Sequence, residues 1–506
     1  IDLVNHQMNH WQPEIGGYGP RGGFNFNPGV TGAPGFAANN FNAYASLLLG
    51  LPQVMGKAYQ FYDPMRTREF HQGYYIRDNW QVNRKLSVNL GMRFEHFPIM
   101  NRGEFGIERY DITTNRVILG GRGNNSRNAG STAAPIMYAP RIGIAYRASE
   151  KTVIRAGYGI TNDPYPMSRP LRSPYPAVIV DEYIGTGFQA GGDLRTGIPA
   201  VRFPDVSSGI LAIPNSVSTN SLQEGRFNRG YIQSFNATIQ RELWGGFVLQ
   251  SGYVGTRSIR QAVTYFNANA GLIPGRGNAG RPLSSIGVNV DRNFFIPMAH
   301  QTYNAWQNNL TRRFSNGLFL TLNYTLSRTE GINAGNSDNG LRFYVPSQFS
   351  KNNAVADFDR THSFTGAATY ELPFGKGKKF ATSGAAAQIL GGWQINPTFQ
   401  IYSGLPFIVT ADGASLNAPA NTQVADRVGE PVKRGGVGLG NPFYETAAFR
   451  PITEARFGNM GLNELRGPRY FIANLGLFRA FTFTERINLQ FRAEALNFTN
   501  TPTLNN

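Results

Sequence analysis

LSVNLGMRFEHF, residues 86–97, is the stretch on which the fold turns. Leu86, Val88, Leu90, Met92 and Phe94 recur at every second position, with Ser87, Asn89, Gly91, Arg93 and Glu95 between them. A strand sends successive side chains to opposite faces, so this spacing makes one apolar and one polar face; on a helix the same residues would scatter around the axis. The pattern returns in LFLTLNYTLS (318–327) and in RINLQFRAEA (486–495).

Working outward, about twelve such stretches can be counted, each long enough for the ~9–11 residues of a tilted membrane strand. They fall into six pairs: 69–82 with 86–97, 137–148 with 152–161, 232–243 with 247–258, 302–314 with 318–328, 361–373 with 391–403, and 469–481 with 486–498. Within a pair the link is short, as in Asn83-Arg84-Lys85, Ser149-Glu150-Lys151, Leu243-Trp244-Gly245-Gly246 and Ser315-Asn316-Gly317. The fifth pair has a longer link through the basic run at 375–379, GKGKK, which reads as a solvated turn in preference to a phosphate site. Between pairs the links run to roughly 30–70 residues, rich in Gly, Pro, Asn and Arg, and residues 1–68 read mostly as loop with room for a partial strand. Short turns at one end and long loops at the other is the arrangement of an outer-membrane barrel, with periplasmic turns and extracellular loops. A sandwich would have turns every 8–12 residues at both ends, and no fixed repeat suggests a propeller.

Composition agrees. Mean hydropathy is −0.30, and the most apolar stretch, ASLLLGL (45–51), is far short of the ~20 residues of a membrane helix. A barrel hides its membrane signal because only alternate residues face lipid. There is no cysteine, which excludes a disulfide scaffold, a thiolate metal site and a cysteine nucleophile. Lys and Arg number 48 against 31 Asp and Glu, a net charge of +17. No nucleic-acid module accompanies that charge, so an anionic lipopolysaccharide surface or ligand is the better match. Aromatics near the strand ends (Tyr74, Tyr75, Trp80, Trp244, Phe247, Trp306, Phe314, Tyr370, Phe374, Trp393, Phe399) read as two interfacial girdles.

The polar row carries Arg93, Glu95, Arg141, Arg147, Arg155, Arg492 and Glu494, which in a large barrel face the lumen while the apolar row faces lipid. In the long loops, Tyr165, Tyr175, Arg276, Arg281, Phe343 and Tyr344 are candidates for a ligand surface, against the alternative that loop aromatics pack the loops together. The loop 257–300 carries five arginines against Asp291. Catalytic and cofactor signatures do not assemble. His6 and His10 lack the glutamate of a zinc-protease motif, and two G-x-G-x-x-G spellings (17–22, 275–280) do not join a strand to a helix. Asp357 and Asp359 could pair as an acid/base couple, but more simply open a strand. No metal, cofactor or enzyme activity is expected.

YYIRDNWQVNRKLSV (74–88) with NLGMRFEHF (89–97), YAPRIGIAYR (138–147), FDRTHSFTGAATYELPFGKG (358–377) and FRAEALNFTNTP (491–502) resemble TonB-dependent outer-membrane receptors. ASLLLGLP (45–52) is similar to the Oar-like subgroup. The resemblance implies an all-β, antiparallel barrel of about 22 strands around a plug, of which this chain holds strands 10 to 21. The plug, the TonB-contacting segment and the closing strand would lie outside it, leaving 69–82 and 486–498 as unpaired edges. It also implies ligand uptake driven through TonB, with outer-membrane lipid, lipopolysaccharide and an extracellular ligand as partners and no nucleic acid. A passive porin-like channel and a surface-binding or secretion-linked barrel are the other readings.

Overall fold

The computed structural model describes residues 1–11, 18–34, 36, 38–62, 64–102, 106–167, 171, 174–332, 341–438, 440–482 and 486–503. Among these, thirteen antiparallel strands form one wall: β1 Asp2–His10, β2 Met65–Gln81, β3 Leu86–His96, β4 Met137–Ser149, β5 Thr152–Asn162, β6 Tyr231–Glu242, β7 Phe247–Asn267, β8 Arg292–Ser315, β9 Leu318–Ile332, β10 His362–Glu371, β11 Trp393–Tyr402, β12 Tyr470–Thr482 and β13 Asn488–Ala495. Each pairs with the next in chain order. All twelve expected strands are present, in the expected hairpins.

The turns show why. Asn83 Oδ1 accepts from the backbone N–H of Lys85 at 2.8 Å and of Leu86 at 3.0 Å, a side chain standing in for a turn carbonyl. Between β8 and β9, Asn316 and Gly317 hold φ of 48° and 77°, the two left-handed residues a tight hairpin needs to match strand twist. The turn joining β12 to β13 lies partly outside the described residues. The long link between β10 and β11 contains a short helix, α2, Gly384–Leu390; an earlier one, α1, spans Asn40–Leu48.

Three features depart from the sequence reading. β1 pairs with β2 from Asp2↔Gly73 to His10↔Met65, so the 69–82 strand is not an edge. Polar residues on both rows of DLVNHQMNH hide its strand character from a hydropathy pattern. The edges are therefore β1 and β13, and no ladder joins them among the described residues. Finally, β7 and β8 run past the expected ends at 258 and 302, to Asn267 and from Arg292. Register shifts between Ser258 and Phe266 and a positive φ at Arg260 break the alternation there, so the extension resembles loop in sequence.

The hydrophobic cores lie among the loops and the outer ends of β7 and β8, not along the remainder of the wall. Val54–Gln60 pairs with Gly23–Asn25 and with Val178–Ile184, which meets Val217–Ser221, itself parallel to the outer part of β8. Around this sheet Tyr110, Val117, Tyr175, Ile179, Leu211 and Phe294 form one cluster, and Met100, Ile107, Met167, Leu222 and Phe295 another. The apolar row of the wall, by contrast, stands uncovered: Ile76, Trp80, Leu90, Ile142, Ile144, Ile239, Trp306 and Leu489 are all exposed. A soluble sheet would bury that row. An uncovered apolar surface of this extent fits a lipid solvent.

Candidate functional site: the polar face of the wall and its loop roof

Following the register strand by strand shows which side chains share a face. Arg93 stands opposite Ala139, so it shares its face with Arg141 and Arg147. Arg155 lies opposite Ala145, and then the path runs Thr238, Gly252, Gln307, Thr325, Ser363, Tyr402 and Tyr470, each opposite or in the same alternating row as the last. It ends with Phe478↔Arg492 and Gly476↔Glu494. All seven residues of the sequence-derived polar set therefore share one face across eleven strands. Leu86, Val88, Leu90, Leu320, Leu322 and Leu489 share the other.

At the loop end of β1 to β5 this face carries an ionic network that is buried at Glu95 and open at Asp2. Arg93 Nε donates to Glu95 Oε1 at 2.6 Å, and its Nη1 bonds Asp2. Asn162 Nδ2 donates to the other Glu95 oxygen at 2.9 Å. A Cβ at Gly73 would come within 2.8 Å of the guanidinium carbon of Arg93, so a side chain there would push the Arg93 tip aside. Deeper, Glu69 lies 3.1 Å from His71 Nε2 and 3.3 Å from Arg229 Nη2, all three buried. The His6 ring packs on His71 at 4.5 Å, and Arg229 lies over Phe97 at 5.3 Å. Glu69, His71 and Arg229 were not singled out from sequence. Glu69 and His71 extend the polar row of β2, and that continuity was the available signal. Arg229 precedes β6 and had none.

Lower on the face the groups are open. Arg155 bonds Gln240 at 2.7 Å, and Arg492 bonds Gln490 at 2.9 Å while lying over Phe478. Arg141, Arg147 and Glu494 are exposed, and no ion pair holds them among the described residues. His6 and His10 sit four apart on β1, so their backbones are ~13 Å apart and the two cannot close on one ion. The His10 side chain lies outside the described residues. Asp357 and Asp359 go to different partners: Asn463 at 2.6 Å, and Arg466 at 2.5 Å with the Thr329 N–H at 2.6 Å.

The loop candidates are mostly interior. Phe343 is 0% exposed, and Tyr175 and Tyr344 are buried with it in the loop cores. Tyr165 is half-buried against Phe295. Arg281 is buried, bonding Asn269 O at 2.6 Å and Asp291 at 3.2 Å, whereas Arg276 is exposed. These aromatics thus tie loop to loop, the alternative weighed above. Arg292, also 0% exposed, does the same: it lies over the Tyr110 ring and bonds the carbonyls of Val217 and Pro214. Among the described residues, two of the clefts open in the roof. One, about 650 Å3, is lined by Arg342, Phe407, Phe443, Leu462 and Asp357. The other, about 550 Å3, is lined by Arg281, Asp291, Asp412, Asn417 and Asn421.

Electrostatics in the roof are uneven. Burial, with Asp291 nearby, pushes the Glu182 carboxyl up to about 7, opposed by hydrogen bonds from Ser218 and Tyr18. The Arg456 hydrogen bond, assisted by Arg450, holds Asp426 down at about 2.

A single antiparallel wall with an uncovered apolar face and a charged opposite face, turns at one end and a folded roof at the other, defines a membrane β-barrel protein. The sequence matches the family described as outer membrane beta barrel domain over residues 1–506, and the chain belongs to that family. It is therefore a protein of the bacterial outer membrane, among barrels and not enzymes. No curated protein matches the chain significantly. Similar solved structures include the siderophore receptor PiuA from Acinetobacter baumannii, at 11% identity over 89% of this chain and 40% of that one, TM-score 0.35. The siderophore receptor PirA from the same organism matches at 11% identity over 88% and 50%, TM-score 0.40. The ferric yersiniabactin uptake receptor FyuA from Yersinia pestis matches at 9% identity over 89% and 42%, TM-score 0.39. The chain thus spans half or less of the length of these structures.

Proposed function

We propose that this chain is wall and roof of a TonB-dependent receptor, of Oar-like type, that binds an extracellular ligand and imports it with energy delivered through TonB. The observation that carries this reading is the roof. Loops packed into cores of their own, with clefts between them, suit capture of a ligand above a charged lumen; a passive pore needs an unobstructed mouth. The motifs at 74–97, 138–147, 358–377 and 491–502 support the same assignment. On this reading Arg141, Arg147, Arg155, Arg492 and Glu494 line the path, the ionic network around Glu95 and Glu69 stiffens its upper rim, and Arg276 and the two clefts meet the ligand.

The test is cross-linking in cells between TonB and the native gene product, together with its conductance in a planar bilayer. A TonB adduct and no steady open-pore conductance are expected. Steady conductance without an adduct would place the porin-like channel first.

A further inference from the structure

The link between β10 and β11 carries a feature that transport does not use. After β10 come Lys376, Lys378 and Lys379, then Phe380, then α2 with the sequence GAAAQIL. Lys378 pairs with Glu371 at 2.6 Å and Lys379 lies over the Phe380 ring at 5.4 Å, but no ion pair holds Lys376 or Lys379 among the described residues. Phe380, Ile389 and Leu390 are all exposed, Ile389 at 65%. Gln388 is the one polar side chain of a helix otherwise built of Gly, Ala, Ile and Leu.

The position of α2 follows from what grips its end. Trp393 Nε1 donates to the Ile389 carbonyl at 2.9 Å. Arg479 Nη1 donates to the same carbonyl at 3.1 Å, its Nη2 bonds the Gln388 carbonyl, and its guanidinium lies over Trp393 and Phe481. Trp393 and Arg479 are cross-strand partners, in register with Ile395↔Leu477 and Phe399↔Ala473, which places both on the apolar face of the wall. The helix is thus pinned to the lipid side of the rim and not beneath the lumen. The tight-turn end of an outer-membrane barrel is its periplasmic end. Apolar side chains beside unpaired lysines, held at that rim, have the composition of an interfacial anchor.

We propose that residues 376–390 form a foot lying in the inner leaflet, with Lys376 and Lys379 on phospholipid phosphates and Phe380, Ile389 and Leu390 among the upper acyl carbons. The charge on the turn is complementary to anionic headgroups, and the apolar side chains continue the lipid-facing surface of β11 and β12. This inference rests on the family and on the observed contacts, and stands whether or not the barrel imports a ligand.

Residues 1–506 lack cysteine, so Leu390→Cys in the native gene product, with any cysteine beyond these residues replaced by Ser, carries a single environment-sensitive fluorophore. The full chain is folded into vesicles of phosphatidylethanolamine and phosphatidylglycerol. The expected result is a blue-shifted emission, quenched by bromine on the upper acyl carbons roughly threefold more than the same label at Thr196→Cys in the roof. Lys376→Glu with Lys379→Glu should cut that quenching about twofold in the anionic vesicles and leave it unchanged in phosphatidylcholine. An Ile389→Cys label repeats the reading should Leu390→Cys fail to reach the folded circular-dichroism spectrum. Iodide quenching as strong as at Thr196 would overturn the foot, and leave a protein partner as the occupant of α2. Unchanged quenching after charge reversal would overturn the phosphate contact.

Discussion

Glu182 shows how a single side chain can make the roof sensitive to pH. Its carboxyl titrates near 7 when folded and near 4.5 when free. A raised pKa means that the folded state favours the protonated form, so this contribution to stability is complete below about pH 4.5 and lost as pH rises through 7. Glu182→Gln should therefore stabilise the roof at pH 8, by ~1–3 kcal/mol, and do little at pH 4; protease resistance of the loops across that range measures it. Asp426 has the opposite sign. Its depressed pKa stabilises the loops above about pH 4, and that contribution disappears as pH falls toward 2. The two together predict greatest roof stability near pH 4, falling on either side. At the rim, Arg229→Ala removes the buried guanidinium that meets Glu69, and should cost ~3–5 kcal/mol in unfolding free energy, read as a lower denaturant midpoint. A Lys at the same position should recover only part, since it cannot both reach the carboxylate and cover the Phe97 ring.

At the scale of elements, the hairpins depend on their turns and the roof depends on β7 and β8. Gly317 holds φ of 77°, and a Cβ there would sit 3.2 Å from the Glu371 Cβ. Gly317→Val should cost ~1–2 kcal/mol and slow closure of the β8–β9 hairpin, seen as slower refolding into detergent with the final spectrum unchanged. The extensions of β7 and β8 act differently: they carry the wall's ladder past the bulges into the roof, where residues 219–221 dock in parallel on 292–294. Arg292 sits at that junction with its guanidinium held by loop carbonyls. Its replacement by Met should loosen the roof while leaving the wall intact, which amide exchange would register as lost protection at 178–184 and 217–221 and none lost at 318–326.

For the whole molecule, the two faces make a prediction that no single contact does. Leu322 and Asn323 are neighbours on β9, ~13 Å from the Leu318 end and so near the middle of a ~25 Å lipid band. Leu322→Arg should lower folding free energy by ~2–4 kcal/mol in a bilayer, whereas Asn323→Arg should be tolerated within ~1 kcal/mol, because one arginine faces lipid and the other a wet lumen. Urea titration of the two variants in vesicles reads the difference. Equal cost at both positions would remove the orientation of the wall and, with it, the assignment of Arg141, Arg155 and Arg492 to the lumen.

The strands of this wall were legible because burial in lipid imposes a period of two on every span, and a side chain cannot leave that period without changing faces. Leu86 to Phe94, Leu318 to Leu326 and Ile487 to Ala495 declare their faces locally, and Asn316-Gly317 declares its turn. The set from Arg93 to Glu494 was therefore readable as one surface before any register was known. Only the tertiary structure could decide what has no local period. β1 emerges because β2 offers it a ladder, not because DLVNHQMNH alternates. The roof holds together through contacts between residues far apart in sequence: Arg292 with Val217, Glu69 with Arg229, Tyr344 with Asn421. Loop aromatics such as Tyr175 and Phe343 have the same composition whether they face a ligand or a core, and burial alone separates the two.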